Sequence, residues 1–395
     1  MNRRSFLLAS SAGVFLPAAT SAAEPKRRVA VIGHTGRGNF GHGLDVVWQK
    51  LPDNARVEIV GVADANAAGL KKAKTRLKTT GFANYKAMLD ELKPEFVSIC
   101  PRHVDQHLDM ALAAIEAGAR GLYVEKPFCR TPAECDTLLA AANERNVKIA
   151  VAHRNRYHPV LPLIDKLVAD GLIGRLLALR GHGLGDRRGG AQDLWVLGSH
   201  VLNLFHHFGG EPLSCSATML KDGKLVTGKD VVEGAEGLGP LAGNEIHARW
   251  RMEKGITASY TTFVNDGSNK QGYAAHLVGT KGVISIHIDR DPVAWFSPGN
   301  PFDPASRKQA RVPITTAGLG KTETRPDLVA KVHNHVLAIE DLIAAVDENR
   351  APLCDAKQGA VTVEMICAVF ESQRQQGREV AIPLPAPRDN PLSRW

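Results

Sequence analysis

Glycines crowded at one end of an apolar run are the first residues in this chain with an evident chemical use. Val29-Ala30-Val31-Ile32-Gly33 leads straight into His34-Thr35-Gly36-Arg37-Gly38-Asn39-Phe40-Gly41, so Gly36, Gly38 and Gly41 fit G-x-G-x-x-G, with Gly33 as an additional glycine before them. A strand passing through such a loop into a helix can hold a diphosphate. Main-chain N–H groups point at the anion, the helix dipole favours its charge, and glycine lets the backbone approach without a Cβ in the way. The spacing therefore predicts a helix after Gly41. Arg37 either touches the diphosphate or faces water. Asp64 ends the next apolar run, where a carboxylate accepts hydrogen bonds from an adenosine ribose diol. A carboxylate there repels a 2′-phosphate, which favours NAD over NADP. The competing reading of Asp64 is a turn or cap ahead of residues 65–70.

The elements that must position these residues follow from periodicity. Short apolar runs at 29–32, 57–62, 96–100, 121–124 and 147–151 alternate with helical patterns, the rhythm of a parallel sheet covered on both faces. Residues 105–117 have helical spacing and stop at Gly118; in 131–146, Thr131 caps, Pro132 opens the first turn and Glu134 supports it. After 151 comes one helix at 160–170. Strand-like runs at 176–180, 246–252, 256–263 and 283–288 then lack intervening helices, which indicates an antiparallel sheet. The glycine-rich stretch 223–243 reads as an exposed loop or hairpin, and two late helices are expected at 326–348 and 357–376. The fold class is thus an α/β Rossmann domain over 27–151, then an α+β domain over 152–385 with an open, mainly antiparallel sheet.

Length and composition agree with two globular domains. The chain has 395 residues, 44% hydrophobic and 23% charged, with a net charge of +8 to which Arg3 and Arg4 contribute. Its basic residues form no run interleaved with aromatics, which argues against nucleic acid as a partner. Residues 1–23 read as a targeting segment: Arg3-Arg4-Ser5-Phe6-Leu7, an apolar run too short to span a bilayer, then Ser21-Ala22-Ala23. The segment resembles the twin-arginine export signal, which carries folded proteins across the membrane and implies a periplasmic or otherwise exported protein, free of the membrane once cleaved. Cys100, Cys129, Cys135, Cys215, Cys354 and Cys367 lack the short spacing of metal or redox pairs and read as buried free thiols.

Tyr123-Val124-Glu125-Lys126-Pro127 follows the fourth apolar run, and a Glu-Lys-Pro there resembles the glucose-fructose oxidoreductase and inositol dehydrogenase family (Gfo/Idh/MocA). Cys100-Pro101 with His107, Glu116-Ala117-Gly118 and Gly198-Ser199-His200 fall in that family's order, so the resemblance covers nearly the whole mature chain. It implies that Lys126 lies near nicotinamide and substrate, that a cis peptide precedes Pro127, and that Pro101, His107 and Glu125 border the cofactor. It also implies that Lys126 binds a substrate hydroxyl while His200 acts as general base or acid. Moving hydride from a carbinol carbon requires the hydroxyl proton to leave; a histidine of near-neutral pKa can take it, and an adjacent ammonium stabilises the alkoxide.

The sequence departs from the family where many members carry aspartates around the histidine. Val196 and Asn203 stand there instead; Asn203 can hydrogen-bond a substrate or orient His200 but cannot carry a proton. Asp193 is close in sequence without evident claim to the role. In His153-Arg154-Asn155-Arg156-Tyr157-His158-Pro159, Arg156 best matches the family's substrate-facing arginine, while Tyr157 is either an acid or base or a packing residue. Asp186-Arg187-Arg188-Gly189-Gly190 is either a substrate loop, with Arg188 as a contact, or a solvated turn. His200 and His206 are not on one helical face, and no metal is expected.

NAD is scarce outside the cytosol, so an exported enzyme would carry its cofactor across already bound and regenerate it in place. Three activities meet that condition or its alternatives: a sugar or polyol oxidoreductase with self-regenerating NAD, a redox-neutral glycoside hydrolase working by oxidation, elimination and reduction, and a non-catalytic sugar-binding protein. An apolar open sheet face would be buried by pairing, which predicts a homo-dimer or tetramer.

Overall fold

A computed structural model describes residues 25–395, so the leader at 1–23, with its twin-arginine reading, lies outside the described residues. The first unit is a six-stranded, all-parallel sheet built from β1 (Arg27–Ile32), β2 (Val57–Ala63), β3 (Thr80–Phe82), β4 (Phe96–Ile99), β5 (Gly121–Val124) and β6 (Lys148–Val151). Their spatial order is β3-β2-β1-β4-β5-β6, reversing at β1, where a doubly wound sheet opens a crevice. β4 and β5 are buried throughout, as strands covered on both faces must be. The covering helices are α1 (Ala67–Leu77), α2 (Tyr85–Leu92), α3 (His107–Glu116) and α4 (Pro132–Glu144). Thr131 caps α4 as expected, its side chain accepting from the Glu134 amide at 3.1 Å. β3, α1 and α2 were not separately legible, because the three-residue β3 is too short to show a period.

The loop after β1 departs from expectation. No α-helix follows Gly41: the chain runs through turns to a single 3₁₀ turn at Val47–Lys50. Asn39, Gly41 and Gly43 adopt φ of 54°, 61° and 94°, and left-handed residues so close together cannot continue into a right-handed helix.

Helix α5 (Val160–Ala169) and strand β7 (Leu176–His182) begin the second unit, whose large sheet is antiparallel except where β7 runs parallel to Thr257–Phe263. One face packs on Ser199–Gly209 and on Ala356–Arg374, a helix buried along Val363 to Gln373. The other face is open, and along the strand Glu245–Met252 it is polar, not apolar as expected. Glu245–Met252 alternates strictly, exposing His247, Arg249 and Arg251 while burying Ile246, Ala248, Trp250 and Met252. A period-2 strand sends one kind of side chain to each face, so this strand offers no apolar surface for pairing. The late helix expected at 326–348 is two, Pro326–His333 and Val336–Asp347, broken where His335 takes φ 62°. All six cysteines are buried and free, and among the described residues no helix is long and apolar enough to cross a membrane.

Candidate active site

Two cavities flank the Rossmann crevice. The first, of about 250 Å³, is walled by Gly33, His34, Arg37, Asp64, Tyr85 and Asp105 among others. Asp64, just past the end of β2, is buried, accepting from the Thr35 amide at 3.0 Å, the Thr35 hydroxyl at 2.6 Å and the Asn66 amide at 2.9 Å. Its carboxylate is therefore oriented by the loop it faces. Gly36 (φ 89°) has nothing within 4 Å of where a Cβ would stand, leaving open space beside the backbone. A Cβ on Gly38 would overlap the Arg102 and His103 amides, and one on Gly41 would overlap Glu125 and the Cys100 carbonyl. These two glycines thus serve close packing of loop on loop. Arg37 pairs with Asp105, whose other oxygen is buried without a partner. An open glycine cradle beside an oriented carboxylate fits a dinucleotide, with Gly33, Gly36, Arg37, Asp64 and Asp105 as the residues that would hold its adenosine half.

Pro101 and His107 sit behind this loop. His107 is fully buried, with Nε2 2.7 Å from the Pro101 carbonyl and Nδ1 3.2 Å from the Phe128 carbonyl. It ties the β4 and β5 loops together and has no free edge for a ligand.

The second cavity gathers titratable groups around Lys126 and His200. His42, Glu125, Lys126, Ala152, Arg154, Leu197, His200, Tyr273, Asp289 and His335 line it. Lys126 follows β5 into a cis peptide with Pro127, and its Nζ donates to the main-chain carbonyl of Val196 at 3.0 Å. Burial pushes the Lys126 ammonium below its usual range, opposed by Glu125, Glu236 and Asp289. Burial also raises the Glu125 carboxyl, but the His42 hydrogen bond and the His42 and Lys126 charges outweigh it and hold the group at about 2. Glu125 accepts in addition from the Lys126 amide at 2.9 Å, fixing the turn that carries the lysine.

His200 lies in Ser199–Gly209, just after a π turn at Leu194–Gly198. Its Nδ1 is buried without a partner, and His153 stands edge-on to its ring at 5.3 Å. Burial, then the charge of Lys126, pushes the imidazole well below its usual pKa, so it is neutral. Asp193 does not replace the missing carboxylate: Tyr260 and Thr262 donate to it at 2.7 and 2.8 Å in a buried pocket of their own. The acceptor facing Lys126 is instead a peptide carbonyl within the π turn, a widened turn of the kind frequent at functional sites.

Several expected residues are elsewhere. The 3₁₀ turn Arg154–Tyr157 sends Arg154 into the cavity and Arg156 away from it, toward Gln358 and the Leu353 carbonyl. Tyr157 is buried, its hydroxyl donating to the Cys354 carbonyl at 3.3 Å, which makes it a packing residue and not the acid or base considered above. Asn203 is wholly buried beside Cys354 and off the cavity wall. Arg188 pairs with Asp186 at 2.6 Å and lines a neighbouring cavity of about 280 Å³ with Arg187, Gln192 and Asn244. Sequence reasoning missed His42, Arg154, Tyr273, Asp289 and His335. Arg154 stood in the segment already singled out; the others had no local signal. His335 reaches the cavity through its left-handed backbone, with Nδ1 2.6 Å from the Tyr123 hydroxyl oxygen. No cluster fit for a metal occurs among the described residues.

A doubly wound sheet with a glycine cradle, beside a lysine–histidine cavity lined from both domains, defines a two-domain dinucleotide-binding oxidoreductase. Residues 27–153 match the family model described as oxidoreductase family, NAD-binding Rossmann fold, and 185–382 match the oxidoreductase family C-terminal alpha/beta domain. The chain belongs to the Gfo/Idh/MocA oxidoreductase family. It is 26% identical over 326 residues to levoglucosan dehydrogenase of Pseudarthrobacter phenanthrenivorans, covering 71% of this chain and 80% of that protein. A shorter match, 33% over 104 residues, links it to UDP-N-acetylglucosamine 3-dehydrogenase of Acidithiobacillus ferrooxidans, covering 26% and 32%. Its fold superposes on a solved levoglucosan dehydrogenase in complex with NADH and L-sorbose with a TM-score of 0.72 at 22% identity, over 91% of this chain and all of the other.

Proposed function

We propose that the protein oxidises a hydroxyl of a sugar or similar polyol, and that its NAD stays bound and is regenerated within the catalytic cycle. The observation that carries this reading is the convergence of Lys126, from the first domain, and His200, from the second, on one cavity. NAD, when bound, supplies the hydride acceptor. Lys126, steered by the Val196 carbonyl, stabilises the alkoxide form of the substrate hydroxyl. His200, neutral and with a free ring nitrogen, takes the hydroxyl proton. Arg154, tied to Asp289 at 2.7 Å, and Tyr273, donating to Asp289 at 3.1 Å, form a polar rim suited to neighbouring hydroxyls. Relatives named for levoglucosan and for UDP-N-acetylglucosamine support a carbohydrate substrate. Retention of NAD rests on the twin-arginine-like leader, which implies export of a folded, loaded protein to the periplasm.

The test uses the purified mature protein with no cofactor added. Absorbance and fluorescence of material released on denaturation are measured, then repeated after exposure to a panel of sugars and glycosides. Bound NAD, with one sugar oxidised for each one reduced and no free NADH, supports the proposal. An empty site that stoichiometrically reduces added NAD makes the protein a plain dehydrogenase. Free saccharide released without net redox change indicates glycoside cleavage instead.

A further inference from the structure

Residues 223–243 are not a free loop. Val232–Glu233 pairs antiparallel with Pro240–Leu241, and the Gly234 amide donates to the Gly239 carbonyl at 2.8 Å, closing a hairpin with its tip at 235–238. Its base is braced from three directions. Gln373 donates to the Val226 carbonyl at 3.1 Å, Lys221 lies 3.5 Å from Asp230, and Asn390 donates to the Pro240 carbonyl at 2.9 Å.

A hairpin tip in water is polar, yet this one buries Leu238 to 1% exposure. The tip seats on the Rossmann domain, where a Cβ on Gly237 would overlap the unpartnered oxygen of Asp105. Asp105 is a wall of the adenosine-side cavity and the partner of Arg37. The neighbouring Glu236 is half-buried, held at φ 59°, and its charge is felt at His103, Lys126 and Arg188. A glutamate keeps a left-handed backbone only where its surroundings over-determine it. The tip thus contacts the wall of one cavity and places a carboxylate within range of the lysine in the other.

We propose that the hairpin 232–241 is a latch that the second domain contributes to the dinucleotide site, docked through Gly237 on Asp105 and slowing cofactor release. A molecule reaching from Asp64 to Lys126 passes this tip, and leaving requires the tip to lift. The inference rests on the proposed binding of NAD and explains how it would be retained over many turnovers. The mass of the latch sits on the second domain, so its lifting need not disturb the glycine loop.

The experiment measures the dissociation rate of NADH from the full mature protein, by fluorescence on displacement with excess NAD. It compares wild type with a variant whose residues 234–239 are replaced by Asn-Gly and with Gly237→Val, which puts a branched side chain at φ 68° against Asp105. Release at least tenfold faster in both is expected. Should the truncation not fold, Gly237→Val, checked by its thermal midpoint, carries the test. Unchanged release from a folded variant overturns the latch while leaving NAD binding intact. A wild type that binds no NADH overturns the proposed function and the latch together.

Discussion

Lys126 Nζ donates to the main-chain carbonyl of Val196 at 3.0 Å, so the lysine expected to face the substrate is oriented by a peptide group and not by a carboxylate. The orienting group is the carbonyl, and the Val196 side chain only fills space. Val196→Ala should therefore cost about 1 kcal/mol of stability through lost packing and leave kcat within a few-fold. Lys126→Met should lower kcat by about 10²–10⁴-fold, the range of a positioned acid–base or charge-stabilising group. Chemical denaturation and steady-state kinetics on the same preparations check both.

The acid limb of the pH profile should be unusual. His200 is held well below its ordinary pKa by burial and by Lys126, and Glu125 is already ionised down to about 2. The rate should then show no inflection near pH 6.5, where an exposed histidine titrates. Lys126, lowered by burial, should set an alkaline limb below 10.5. A normal histidine inflection that vanishes in His200→Asn would contradict the buried environment described here.

Stability should fall as the solution is acidified. His153 and His335 are buried and depressed to about 3, whereas both protonate near 6.5 once unfolded. The unfolded chain binds their protons first, so their contribution is present above about 6.5 and is lost progressively as pH falls toward 3. Glu125, depressed from 4.5 to about 2, adds a loss below 4.5 of the same sign. Each fully depressed histidine steepens the dependence by about 1.4 kcal/mol per pH unit. Urea unfolding at pH 7, 6 and 5 should be shallower by about that amount in His153→Leu.

Tyr157 and Tyr273 should separate cleanly. Tyr157→Phe removes only a hydrogen bond to the Cys354 carbonyl, worth about 1 kcal/mol of stability, and should leave kcat/KM unchanged. Tyr273→Phe removes a hydroxyl from the cavity wall and frees Asp289, and should lower kcat/KM about tenfold, the equivalent of one hydrogen bond to the transition state.

Asp64→Ala should weaken NAD about 10–100-fold, the loss of one to two charge-assisted hydrogen bonds. It also releases Thr35, so the loop 34–39 should become more susceptible to hydrogen exchange. Equal affinity for NAD and NADP in the wild type would remove the argument that this carboxylate selects between them.

Most of the Rossmann domain could be read from the chain because its information is local. β1, β2, β4, β5 and β6 are apolar runs whose neighbours in sequence are their cover in space, and Thr131 announces α4 at its own position. Gly36 and Asp64 were legible for the same reason. The helix after Gly41 was misread because G-x-G-x-x-G specifies where glycine is needed and not which φ each glycine takes. Gly38 and Gly41 turn out to be small so that the 100–103 loop and Glu125 can press against them.

The sequence by itself therefore determined the doubly wound sheet and the order of the two domains, and its family resemblance singled out Lys126 and His200, which the fold brings to one cavity. Tertiary structure decided what surrounds them. A 3₁₀ turn chose Arg154 over Arg156, and the left-handed His335 and the loop-borne Tyr273 and Asp289 arrived from more than a hundred residues beyond Lys126. Every residue carries a main-chain carbonyl, so nothing in the letters marks that of Val196; only the path of the π turn, fixed by packing from both domains, aims it at Lys126.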